Sequence, residues 1–128
     1  MGDYVKRLPE AEFQVMKAIW GYEPPVTSSM VMGHLSGEKS WPIQSVVTLL
    51  SRLVEKGFIR SEKKGKERLY YPLVSKEDYL QFETRNFVKQ YHENSFISLL
   101  STLHQDKELT DEDLDDLQEW IWKRRSDS

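Results

Sequence analysis

Residues 43–74 read IQSVVTLLSRLVEKGFIRSEKKGKERLYYPLV, and their hydrophobic period changes once, at Gly57. Plotted at 100° per residue, Val46, Leu49, Leu50 and Leu53 fall on one face, which predicts an amphipathic helix. Pro42 opens that helix, and it runs to Lys56 before Gly57. Beyond Gly57 come Phe58-Ile59-Arg60, a charged stretch over 61–67 that contains Gly65, and then Leu69-Tyr70-Tyr71-Pro72-Leu73-Val74. Two apolar, aromatic-rich runs about a polar, glycine-bearing tip predict a β-hairpin.

Upstream, the pattern is helical again. Pro9 is placed to open a first helix, because its missing N–H has no helical partner there. Phe13, Met16, Ile19 and Trp20 then recur at helical spacing until Gly21 and Pro24-Pro25 stop them. Thr27 is a candidate N-cap for a short second helix carrying Met30, Val31 and Leu35, with Gly37 as its end. Three short helices followed by a hairpin is the order of a winged helix-turn-helix. Small helical bundles with a hairpin also serve as protein-binding modules, so the order alone leaves that alternative open.

Downstream, Ser75-Lys-Glu-Asp78 is a loose capping box that starts a longer helix with Tyr79, Phe82, Val88 and Tyr91. Residues 96–103 have helical spacing, and Thr110-Asp-Glu-Asp113 caps a last helix with Leu114, Leu117, Trp120 and Ile121. Acidic residues crowd the start of that helix and Lys123-Arg124-Arg125 its end, as the helix dipole favours. The 54 residues from 75 to 128 make a poor core alone, since so small a piece buries too little apolar surface. Their aromatic stripes call for a partner, and a second copy of the same segment in a symmetric dimer supplies one. The expected fold class is therefore mainly α with a small β-hairpin: a winged helix-turn-helix domain over 1–74, then a three-helix C-terminal dimerisation region over 75–128. The residues expected at the dimer contact are Tyr79, Phe82, Tyr91, Phe96, Leu99, Leu100, Leu103, Leu114, Leu117, Trp120 and Ile121.

The chain has 128 residues, 18 Lys and Arg, 21 Asp and Glu, three His and no Cys, for a formal net charge of −3. Without cysteine there is no disulfide framework, thiol nucleophile or thiolate metal site. The start, MGDYVKRLPEAE, lacks the apolar core of a secretory signal, and no run approaches the ~20 apolar residues of a spanning helix. A cytoplasmic protein with no membrane insertion is the expectation. His34, His92 and His104 are far apart and lack ligand spacing, so neither a metal nor another cofactor is expected. No glycine-rich phosphate loop, nucleophile elbow or paired His-Glu motif points to an enzyme.

Charge is divided unevenly. Residues 1–74 hold eleven basic and eight acidic side chains, residues 75–128 seven and thirteen, so the N-terminal half is the one suited to meet an anion. Opposite the apolar face of helix 42–56 stand Gln44, Val47, Thr48 and Ser51, flanked by Ser45 and Arg52. An idle surface helix carries Lys and Glu, whereas short hydroxyls and an amide suit the floor of a DNA groove. Gln pairs with adenine through two hydrogen bonds, Thr and Ser bond base edges or phosphate, and Val meets a thymine methyl. The hairpin supplies the cations, Lys63, Lys64, Lys66 and Arg68, with Lys56 and Arg60 at its base. Ser29, at the start of the second helix, is a further phosphate contact. Double-stranded DNA is the partner this pattern fits.

Three stretches, LPEAEFQVMKAIW at 8–20, VVTLLSRLVEKGFI at 46–59 and KKGKERLYYPLV at 63–74, resemble the penicillinase repressor family, which includes β-lactamase, methicillin-resistance and copper-responsive repressors. The likeness continues through Tyr79 to Tyr91 and SFISLL at 95–100 into the acidic last helix. The resemblance implies a homodimeric winged-helix repressor on a palindromic operator. It also implies that a membrane sensor protease leads to cleavage near Ser95-Phe96. Two departures stand out. Gln44-Ser45 replaces a common Lys-Thr pair and Val47 a frequent basic residue, which bears on the operator sequence. The paired C-terminal Cys motifs of copper-responsive members are absent, the chain ending in Trp122-Lys-Arg-Arg-Ser-Asp-Ser. A regulator sensing a small molecule through Tyr79, Phe82, Phe87, Tyr91 and Trp120 is a second reading of the C-terminal aromatics.

Overall fold

The computed structural model describes residues 6–35 and 41–127. Pro9 is the N-cap of α1 (Glu10–Trp20), one residue before the expected start, and its carbonyl accepts the Phe13 N–H at 2.9 Å. Val15, Met16, Ala18 and Ile19 make the buried stripe of this helix. In α2 (Ser28–Leu35), Thr27 Oγ1 accepts the Met30 N–H at 3.2 Å, the N-cap expected of it. The expected helix end at Gly37 lies outside the described residues.

The α3 helix (Ile43–Glu55) buries Val46, Leu49, Leu50 and Leu53, the four residues its periodicity aligned. Lys56 is its C-cap, and Gly57 follows at φ +80°, a left-handed turn that Gly adopts without a Cβ penalty. The chain then enters β1 (Ile59–Lys64), which pairs antiparallel with β2 (Glu67–Pro72) in a register running from Ile59 opposite Pro72 to Lys64 opposite Glu67. The strands thus run through most of the charged stretch read as the tip, leaving only Gly65 and Lys66 between them. Gly65 sits at φ +63° in the first central position, where a two-residue hairpin turn of this kind demands positive φ. Val26 forms a bridge to Tyr70, exchanging N–H···O bonds of 3.0 and 2.8 Å, and so adds a third short edge to the hairpin.

By internal packing the chain divides into two units, Met1–Glu83 and Thr84–Ser128. The core of the first is built from Met16, Ile19, Val26, Val31, Val46, Leu50, Leu53, Phe58 and Ile59, all but sealed from solvent. The start of α4 (Lys76–His92) belongs to it, with Ser75 Oγ accepting the Asp78 N–H at 3.0 Å. Tyr79 is only 2% exposed. Its ring stacks on Phe13 and meets Phe58 edge-on, both at 5.7 Å, with Trp20 at 5.9 Å and Phe82 at 6.1 Å. Its hydroxyl accepts the Leu8 N–H at 2.8 Å and donates to Glu83 at 3.2 Å. Tyr79 was expected at the dimer contact, but its side-chain surface is taken up by its own chain. Phe82, expected there too, is half-buried against the same core. Trp20 Nε1–H bonds the Val74 carbonyl at 2.9 Å, fixing the chain where α4 begins.

In the second unit, α4 ends at Glu93 and Asn94, both left-handed at φ 50° and 66°. Ser95 then caps α5 (Phe96–Gln105), its Oγ accepting the Ser98 N–H at 3.0 Å, while Ser98 Oγ shares a 2.9 Å hydrogen bond with His92 Nδ1. The Thr110–Asp113 capping box opens α6 (Asp111–Ser126) as expected, with both reciprocal bonds formed, at 3.0 and 3.1 Å. Neither α5 nor α6 buries a single residue.

Candidate nucleic-acid interface

With Val46, Leu49, Leu50 and Leu53 facing the core, helix geometry turns Gln44, Ser45, Val47, Thr48, Ser51 and Arg52 outward, and all six are exposed. Among the described residues none of their polar side chains has a hydrogen-bond or ion-pair partner. An open groove of about 600 Å³ runs alongside, lined by Gln44, Ser45, Thr48 and Arg52 together with Ala11, Trp41, Pro42 and Leu49. Two residues of this face were missed in the sequence reading. Ile43 is 47% exposed at the first position of α3, and its place four residues before Val47 was the available signal. Trp41, half-buried, walls the groove, and nothing in the local pattern marked it.

The hairpin sorts its charges by face. Ile59, Ser61 and Lys63 alternate along β1 and stand opposite Pro72, Tyr70 and Arg68, so the face that is buried at Ile59 and Tyr70 ends in two opposed cations. Like charges directly across a strand pair oppose folding. Lys63 and Arg68 therefore sit where an anion would relieve a built-in repulsion. Arg68 reaches back to Ser61 Oγ at 3.2 Å, and its charge partly offsets the burial that raises the Tyr70 pKa above 10.0. On the other face Lys64 stands opposite Glu67, and Lys66 occupies the turn. The two cations at the hairpin base are committed elsewhere. Lys56 pairs with the buried Glu12 carboxylate, tying α3 to α1, and Arg60 lies 3.9 Å over the Tyr71 ring and 3.6 Å from Glu62. Lys63, Lys64, Lys66 and Arg68, all exposed, are thus the hairpin cations with no ion pair among the described residues. Ser29 is exposed at the second position of α2.

The remaining candidates lie in the second unit. Tyr91, Phe96, Leu103, Leu114, Trp120 and Ile121 are exposed, and Leu99, Leu100 and Leu117 are half-buried. Arg124 stacks over Trp120 at 4.1 Å. The candidate cleavage pair straddles the start of α5, Ser95 as N-cap and Phe96 as first helical residue, 71% exposed. Among the described residues no group of His, Asp and Glu is placed to hold a metal ion, and no helix is long and apolar enough to cross a membrane.

Three helices, an exposed polar face on the third and a basic two-stranded hairpin beside it define a winged helix-turn-helix protein. Residues 8–123 match the penicillinase repressor family, and the chain belongs to that family. It is 25% identical over 113 residues to the penicillinase repressor of Bacillus licheniformis, covering 88% of each chain. It is 26% identical over 124 residues to the methicillin resistance regulatory protein MecI of Staphylococcus aureus, covering 97% of this chain and 100% of that one. Among solved structures, the DNA binding domain of the repressor BlaI is similar with a TM-score of 0.50 and 32% identity, over 57% of this chain and 88% of that one.

Proposed function

We propose that this chain is a dimeric, DNA-binding transcriptional repressor that acts in the cytoplasm on a palindromic operator. Residues 42–56 read bases, and the wing over 60–68 grips phosphate. The carrying observation is the pairing, within one unit, of an α3 face made of unpartnered amide and hydroxyl side chains with a hairpin that ends in opposed Lys63 and Arg68. Membership of a repressor family, and likeness to a DNA binding domain, support the same reading.

Dimerisation is assigned to the C-terminal helices within residues 75–128, the N-terminal residues 1–74 forming the winged domain. Its support is energetic: α5 and α6 leave Phe96, Leu103, Trp120 and Ile121 in water, and burying such side chains is worth about 1.5–3 kcal/mol each. Two winged domains held in one dimer gain from effective concentration on a two-fold site. Inactivation by a membrane sensor protease near Ser95-Phe96 completes the proposal. Its support is position, because a cut there would detach α5 and α6 from the chain up to the end of α4.

Duplexes enriched from a random-sequence pool, titrated with the full-length chain by fluorescence anisotropy at several salt concentrations, test the proposal. A steep linear fall of log affinity with log salt, together with preference for the enriched duplex, is expected. A chain that ignores DNA at low salt is a protein-interaction module instead.

A further inference from the structure

Ile43 and Val47 hold branched apolar side chains in water, 47% and 40% exposed, on a helix that buries Val46, Leu49, Leu50 and Leu53. They stand four residues apart and so form one row along the helix surface, continued by Ser51. Gln44, Thr48 and Arg52, also four apart, form a second row beside it. The outward face of α3 thus resolves into a row that begins with methyl groups and a row of hydrogen-bonding groups. Arg52 is the one charged side chain on either row before Glu55, which ends the first row at the C-terminus of α3.

We propose that Ile43 and Val47 read thymine methyl groups in the major groove while Gln44 takes an adjacent adenine, so that the half-site selected by this chain is A·T-rich. The inference rests on the DNA-reading role of α3 proposed above and specifies what that helix reads. Every base pair offers hydrogen-bonding atoms in the major groove, but the thymine C5-methyl is the one apolar group displayed there, and a G·C pair lacks it. Ile and Val placed over a G·C pair would displace water from its polar atoms and gain no methyl contact in return, which disfavours G·C pairs beneath the row. The N-terminal residues of a recognition helix are the ones that reach base edges, and the methyl row occupies that end of α3. Four residues of helix rise about 6 Å, close to two base-pair steps of about 3.4 Å. The two methyls are therefore read at positions about two steps apart. DNA rather than a protein groove is the occupant because the same unit carries Lys63 opposite Arg68, neither ion-paired among the described residues, and the N-terminal part of the α3 face has no acidic side chain, Glu55 standing at its far end.

Deoxyuridine in place of thymidine removes only the methyl and leaves pairing intact. A duplex enriched from a random-sequence pool by the full-length chain is resynthesised with one such replacement at a time, and affinity is measured for each. Two positions per half-site, about two steps apart, should weaken binding roughly fourfold each, the worth of one buried carbon. Ile43→Ala and Val47→Ala should each abolish sensitivity at one of them. Both side chains are exposed, so the fold is retained, and a melting curve verifies it. Unchanged affinity at every replacement, sensitivity that persists in both variants, or enrichment of a G·C-rich site overturns the inference while DNA recognition stands. If no sequence is enriched at all, base reading by α3 fails and takes the inference with it.

Discussion

Replacing Tyr79 separates a role in the fold from a role between subunits. Its ring fills the space among Phe13, Trp20, Phe58 and Phe82, and Tyr79→Ala should cost about 3–5 kcal/mol, the range for deleting a buried aromatic. Tyr79→Phe keeps the ring and removes the oxygen that accepts the Leu8 N–H at 2.8 Å. A buried donor left without an acceptor costs about 1–3 kcal/mol. In a unit of this size, a loss of about 2 kcal/mol lowers Tm by roughly 8–16 °C. Calorimetry on the full-length chain at fixed protein concentration reads the shift. Sedimentation equilibrium on the same samples reads the dimer. The structure predicts a lowered Tm for the Phe variant, a larger fall for the Ala variant, and a dimer dissociation constant that moves little for the Phe variant. An unchanged Tm with a weakened dimer would refute the placement of Tyr79 in the core.

Burial raises the Tyr70 and Tyr79 pKa values above 10.0, so their stabilising contribution is full below pH 10 and is lost as pH climbs through the raised folded values; denaturation at increasing pH should show it, with a shallower decline for Tyr79→Phe. Leu117→Asp with Ile121→Asp should turn dimer into monomer, as should truncation after Ser95, and light scattering showing an unaltered mass would remove α6 from the contact. Lys63→Ala and Lys66→Ala should weaken binding to enriched and random duplexes about equally and flatten the salt slope by roughly one unit each. A change of sequence preference in these wing variants would invert the roles given to helix and wing.

Features set by neighbours in sequence were legible. The apolar period of α3, the Thr110–Asp113 capping box, Thr27 as N-cap and the glycine-centred hairpin each depend on residues a few positions apart, and all appear in the structure. Misreadings came from long-range pairing. Tyr79 has helical spacing with Phe82 and looks like part of a surface stripe, yet its partner Leu8 is 71 residues away. Lys56 looks like a wing cation until Glu12, 44 residues earlier, is brought beside it. The strands extend into 61–64 because ladder pairing with 67–70 outweighs the poor strand propensity of Lys and Glu. Of the candidate DNA face, the exposed polar row was legible from the helical wheel. Ile43 was passed over despite its place four residues before Val47, because an apolar residue at a helix start is ordinarily assigned to the core, and the opposition of Lys63 to Arg68 required the strand register.

The central claim is that α3 carries sequence discrimination. Competition titration of the enriched duplex against a scrambled duplex of equal length, with the wild-type chain and with Gln44→Ala and Thr48→Ala, measures it directly. Each variant should lose about 1–3 kcal/mol of the difference between the two duplexes while binding to the scrambled one stays near wild type. Discrimination that survives both substitutions intact would contradict the account.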